Sequence, residues 1–163
     1  MNLKLLIGLA LLSSLGTAHA ESLPELQSRC GNDAVALLAR QRQLDEDLLT
    51  AEVRAKTNTA YDYEHHYSES MKGCFVVIED VETWSMPDPN KTRTYLHTAT
   101  RYRLFDVNAH HEIGRFDKVR TNHTDHKPGG FQKSIGCNFG GVECSGEAEW
   151  RAKAAPYIPG WRN

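Results

Sequence analysis

Beyond its first 20 residues the chain has no apolar run long enough to cross a bilayer, which takes about 20 residues. It also lacks a surplus of positive charge: 19 Lys+Arg stand against 21 Asp+Glu, a formal net charge of −2. The first absence argues against a later helical anchor, and the second against a nucleic-acid binder, whose affinity rests on a basic surface. Several catalytic signatures are missing too. There is no Gly-x-Ser-x-Gly, Ser-x-x-Lys, His-Glu-x-x-His or Cys-x-x-Cys, and no glycine loop of the phosphate-cradling type. Internal repeats and low-complexity tracts are absent. What remains, 40% hydrophobic and 25% charged residues, is the composition of a folding globular chain.

The first 20 residues read as a secretory signal. Lys4 supplies one positive charge, Leu5 to Leu12 a short apolar core, and Ala18-His19-Ala20 the small residues expected before a cleavage site. This predicts a signal peptide over residues 1–20 and a single disulfide-stapled domain over residues 21–163, periplasmic or secreted. No transmembrane segment is expected after cleavage, and the expected partner is an envelope or extracellular one rather than nucleic acid.

The four cysteines, Cys30, Cys74, Cys137 and Cys144, are an even count suited to an oxidising compartment, which favours two disulfides over thiol chemistry. Three pairings are possible. Cys137 and Cys144 flank a segment containing Gly140 and Gly141 that brings its ends together easily, so the expected pairs are Cys137 with Cys144 and Cys30 with Cys74.

Ser22-Leu23-Pro24-Glu25 has the form of a capping box and starts a helix. Cys30, Ala34, Leu37, Leu38, Gln41, Leu44 and Leu48 recur at three- and four-residue spacing and trace its inward face, with Arg40, Arg42, Asp45 and Glu46 largely elsewhere. Helical composition persists to about Lys56, as one helix or two. From Ala60 the pattern turns strand-like, and Cys74 to Trp84 is rich in β-branched and aromatic residues, its first half reading as buried on both faces. Met86 to Asn90 reads as a loop. Thr92 to Val107 and Glu112 to Val119 read as a hairpin around Asn108-Ala109-His110-His111, and Arg120 to Gly130 as a polar loop. Ser145 is a candidate cap for a short helix carrying Ala148, Trp150 and Ala154. Trp161 sits in a tail that either docks or waves in water.

Taken in order, a helix bearing a cysteine, the segment from His66 to Val76, Leu104-Phe105-Asp106 with Glu112 to Phe116, and two late cysteines before a short helix form a recognisable series. It resembles a broad group of small exported bacterial proteins of unknown function. The resemblance implies an α+β domain with a cystine link and supplies no activity.

Three patterns carry candidate chemistry. Alternation along Lys91, Arg93, Tyr95, His97, Ala99, Arg101 and Arg103 gives one side of a strand a cationic row, which suits an anionic ligand. The plainer account is cross-strand neutralisation by Glu79, Asp80 or Glu82. His110, His111, His123 and His126 are the imidazoles that would have to converge on a divalent transition metal. The carboxylates Glu79, Asp80, Glu82, Asp106, Glu112 and Asp117 are numerous enough for an acid–base pair acting on an envelope polymer. The expected architecture is α+β: an N-terminal helix packed on an antiparallel sheet of three to five strands, with a short C-terminal helix and two disulfides. The expected function is non-enzymatic binding, without a cofactor, through residues Lys91, Arg93, His97, Arg101 and Arg103 and the loops of residues 108–130. A histidine metal site and an envelope-polymer hydrolase are the alternatives.

Overall fold

Ser22 caps the first helix, and its backbone N–H donates to the Glu25 carboxylate at 2.7 Å, so the four-residue signal is used as the sequence implied. The computed structural model describes residues 21–87, 94–123 and 130–161. The signal region, Lys91, Arg93 and His126 lie outside them. Helix α1 (Leu23–Leu48) is followed by a separate short helix, α2 (Ala51–Lys56), whose first turn is capped by the Thr50 hydroxyl accepting from the Val53 N–H. Five further segments follow as strands before the last one closes the sheet: β1 (Thr57–Ser68), β2 (Gly73–Pro87), β3 (Thr94–Asp106), β4 (His111–His123), β5 (Phe131–Phe139) and β6 (Val142–Glu143). Helix α3 (Glu147–Ala154) ends the regular structure.

All neighbours are antiparallel and the spatial order is β1-β2-β3-β4-β5-β6, the order of the chain itself. This corrects the expected α+β arrangement with three to five strands: the sheet has six, and strand makes up 49% of the structure against 31% helix. The physical reason lies in β5 and β6. At the margin of the sheet β5 is exposed over most of its length, so no face of it carries the apolar alternation that marks a half-buried strand, and β6 has only two residues. A second correction concerns Arg120 to His123, which extend β4 rather than begin a loop.

The sheet is the middle layer of three. On one face α1 packs Cys30, Ala34, Leu37 and Leu38 against Val76, Ile78, Phe105 and Val107. On the other, α3 and the following tail pack Trp150, Ala154 and Ile158 against Phe75, Val77, Tyr102, Leu104 and Phe116. From Gly73 to Asp80 strand β2 is therefore buried on both sides, as its unbroken apolar run implied. Trp161 docks: its ring meets Tyr102 edge-on at 5.2 Å, and the Arg151 guanidinium lies 4.6 Å from the Trp161 ring centre and 5.0 Å from that of Tyr102. At α3 the cap is Gly146 rather than Ser145; Lys153, with the Ser145 N–H and hydroxyl that donate to Glu149, holds that carboxyl down at about 2.

Both disulfides have the expected pairing, Cys30–Cys74 and Cys137–Cys144. The first fastens α1 to β2. The second closes the β5–β6 hairpin, where Gly140 and Gly141 take φ of 61° and 80°, the left-handed pair that a two-residue turn of this twist requires. No helix among the described residues is long and apolar enough to cross a membrane.

Candidate functional site on the uncovered half of the sheet

Helix α1 is too short to cover its face. Cys30 is bonded to Cys74, and fifteen residues later Asp45 reaches Arg103, beside Asp80; the helix thus runs along β2, about 22 Å of helix over about 20 Å of strand. Past Asp80 strand β2 continues half-buried to Trp84 and exposed to Pro87. Leu44 and Leu48, expected to face inward, are instead 47% and 83% exposed.

Where α1 leaves the sheet, apolar packing gives way to a chain of charges. Arg103 Nη2 donates to Asp45 at 2.7 Å and to Asp80 Oδ2 at 3.1 Å, and its Nη1 donates to Gln41 at 3.0 Å. Arg101 Nη1 donates to the same Asp80 oxygen at 3.1 Å, and its Nε donates to Asp117 at 2.8 Å. Strand alternation explains the convergence: Asp80 pairs across from Arg101, which pairs across from Asp117, so all three point to one face, with Arg103 two residues along. Burial pushes the Asp80 carboxyl up to about 6 against the pull of Arg103 and Arg101. Burial likewise raises the nearby Tyr61 hydroxyl to about 12, with Asp45 and Asp80 adding to it.

Beside this chain lies an open depression of about 290 Å³, lined by Asp80, Glu82, Ala99, Arg101, Asp117 and Ile135 among others. Ala99 creates it, because a methyl group stands where the neighbours on its face, His97 and Arg101, carry long or ring-bearing side chains. Next along the same face the Trp84 and His97 rings stack at 5.3 Å and 13°, and His97 Nδ1 lies 3.0 Å from the Thr121 hydroxyl. Phe131, opposite Thr121, and Ile135 are 62% and 64% exposed.

Of the expected cationic row, His97, Arg101 and Arg103 do share a face, and Lys91 and Arg93 lie outside the described residues. Arg103, however, is 3% exposed and paired with two carboxylates, so it offers no charge to solvent. The expected neutralisation names Asp80; Glu79 points to the opposite face. Asp45, placed off the inward stripe by the sequence reading, is a partner of the buried arginine. Its position four residues after Gln41 was the available signal.

The histidines are not brought together. His110 and His111 sit at the β3–β4 turn, where His110 takes φ of 51° and lines a second depression of about 420 Å³ with Asp33, Leu37, Arg40 and Asn108. His123, of which the backbone is described, is at the far end of β4, roughly 40 Å from His111 along a strand of thirteen residues. His111 and His123 thus stand at opposite ends of β4, a strand that runs further than the expected Glu112 to Val119. Among the described residues no group of three or more His, Cys, Asp or Glu is arranged to hold a metal ion.

Of the candidate acid–base carboxylates, Asp80, Glu82 and Asp117 line the depression, and the others lie elsewhere. Asp80 and Asp117 share Arg101, Asp106 accepts from the Ala109 N–H at 3.0 Å in the hairpin turn, and Glu112 holds Arg115 at 3.0 Å. No protein-family model matches the chain, and neither a curated protein nor a solved structure matches it.

Proposed function

We propose that the protein is an exported binding protein, working without catalysis of its own, whose ligand lies against the uncovered half of the sheet. The observation that carries this reading is the uneven cover of one face. Phe131 and Ile135 stand in solvent beside a charged depression and a stacked Trp84–His97 pair, on strands whose other face is packed nearer α3. Exposed apolar side chains among polar ones on a rigid support are the make-up of a recognition surface. Two disulfides and the secretory character of residues 1–20 support an oxidising compartment outside the cytoplasm. The surface keeps His97 and Arg101 from the cationic row and adds the outer strands.

Immobilised protein challenged with fractions of an envelope extract is expected to give a saturable response that Ile135→Asp lowers about tenfold, the effect of losing one contact worth about 1.4 kcal/mol. Thermal unfolding should be unchanged, because Ile135 is 64% exposed in the free protein. Equal responses from the variant and the parent end this reading.

A further inference from the structure

We propose that the depression over Ala99 is a saccharide subsite, an inference that rests on the uncovered face being the ligand surface and adds the chemistry of the ligand. Asp80 lines the depression and is 1% exposed. Its Oδ2 accepts from both Arg101 and Arg103, while its Oδ1, also buried, has no hydrogen-bond partner among the described residues. A buried carboxylate oxygen without a donor is costly, and Asp80 is among the residues that form the wall of the depression.

The lining decides which donor. The lining mixes groups that can only accept, the carboxylates of Asp80, Glu82 and Asp117, with groups that can only donate, Arg101, Arg115 and Lys118. An ammonium ligand would meet three cations, and a phosphate or sulfate three carboxylates. Neighbouring hydroxyls on a sugar ring both donate and accept, so one ring satisfies both kinds of group side by side. The stacked Trp84–His97 pair, one step along the same strands, supplies a flat apolar surface for the C–H face of an adjoining ring. At about 290 Å³ the depression is at the small end of ligand sites, which run from about 300 to 1,000 Å³, and so suits a single ring of a longer chain.

The test is ligand-detected saturation-transfer NMR on the purified protein with maltotetraose, cellotetraose and N-acetylchitotetraose, alongside inorganic phosphate and spermidine. At least one tetrasaccharide is expected to receive saturation, with neither phosphate nor spermidine competing. Ala99→Phe, which fills the depression while leaving the ion pairs intact, and Trp84→Ala, which removes the flat surface, should each weaken binding about tenfold or more. Unchanged thermal unfolding of the Ala99→Phe variant confirms that it folds. Saccharide binding that ignores Ala99→Phe overturns the proposal, as does binding of only phosphate or spermidine, or no binding at all. If no saccharide binds and Ile135→Asp still lowers the envelope response, the ligand class alone is wrong; if Ile135→Asp also has no effect, the surface reading falls with it.

Discussion

Arg103→Leu is expected to lower the unfolding free energy by about 3 kcal/mol, the low end of the cost of breaking a buried charge pair, because Arg101 still faces Asp80. Arg103 is 3% exposed and bridges Asp45 of α1 to Asp80 of β2, so its loss removes that link and leaves Asp80 with Arg101 alone. The deficit also depends on pH. In the native protein Asp80 titrates near 6, above its ordinary 3.8, so protonation favours the folded state; this group stabilises most below about pH 4 and that contribution is lost as the pH rises through about 6. Arg103 is the strongest of the influences pulling that value down. Without it the carboxyl titrates higher still, and above that range the variant holds a buried charge facing Arg101 alone, where the parent has two guanidiniums. Urea unfolding should therefore show a larger gap between variant and parent at pH 8 than at pH 5. A gap that stays constant would mean that Asp80 does not titrate through this contact. Arg103→Lys should recover only part of the loss, since an ammonium cannot fork between Asp45 and Asp80 as the guanidinium does.

The same residue shows how far the sequence could be read. Strand alternation correctly put His97, Arg101 and Arg103 on one face, because the two-residue period is a property of the backbone. Whether that face meets water or a helix is set by where α1 stops along β2, a tertiary fact with no local signature. Arg103 falls under the helix and becomes a structural ion pair; Arg101 falls at its margin and reaches the depression. Asp45 was assigned away from the core because it is charged, yet a buried arginine makes a carboxylate the fitting residue there. The core itself was legible: Cys30, Ala34, Leu37, Leu38 and the run from Cys74 to Ile78 are buried where periodicity placed them. Strand β5 was not, since Gln132, Lys133 and Ser134 interrupt its apolar residues and it owes its conformation to pairing with β4. Missing that strand removed Phe131 and Ile135 from view as surface residues, and with them the outer wall of the depression.

Removing Cys30–Cys74 by paired alanine substitution should cost about 4 kcal/mol, and removing Cys137–Cys144 about 2.5 kcal/mol, from the chain entropy each link takes from the unfolded state. The two bridges close sequence separations of 44 and 7 residues. Local structure sharpens the contrast. The shorter loop is already closed by a glycine turn and by the Cys144 N–H donating to the Cys137 carbonyl at 3.1 Å, so its bridge adds little constraint that the hairpin does not supply. The longer loop contains most of α1, all of α2 and all of β1. Strand β1 pairs only with β2 among the described strands and is the outer strand on its side, so it depends on α1 staying in place above it. Cys30 and Cys74 are 1% and 3% exposed, and the alanine pair also loses their buried sulfur atoms. Hydrogen exchange should locate the damage: amides of β1 and the second half of α1 lose protection in the Cys30→Ala/Cys74→Ala variant, while those of β3 and β4 keep it. Equal losses of stability for the two bridges, or a protection loss centred on α3, would show that the far hairpin rather than the α1–β2 junction holds the fold.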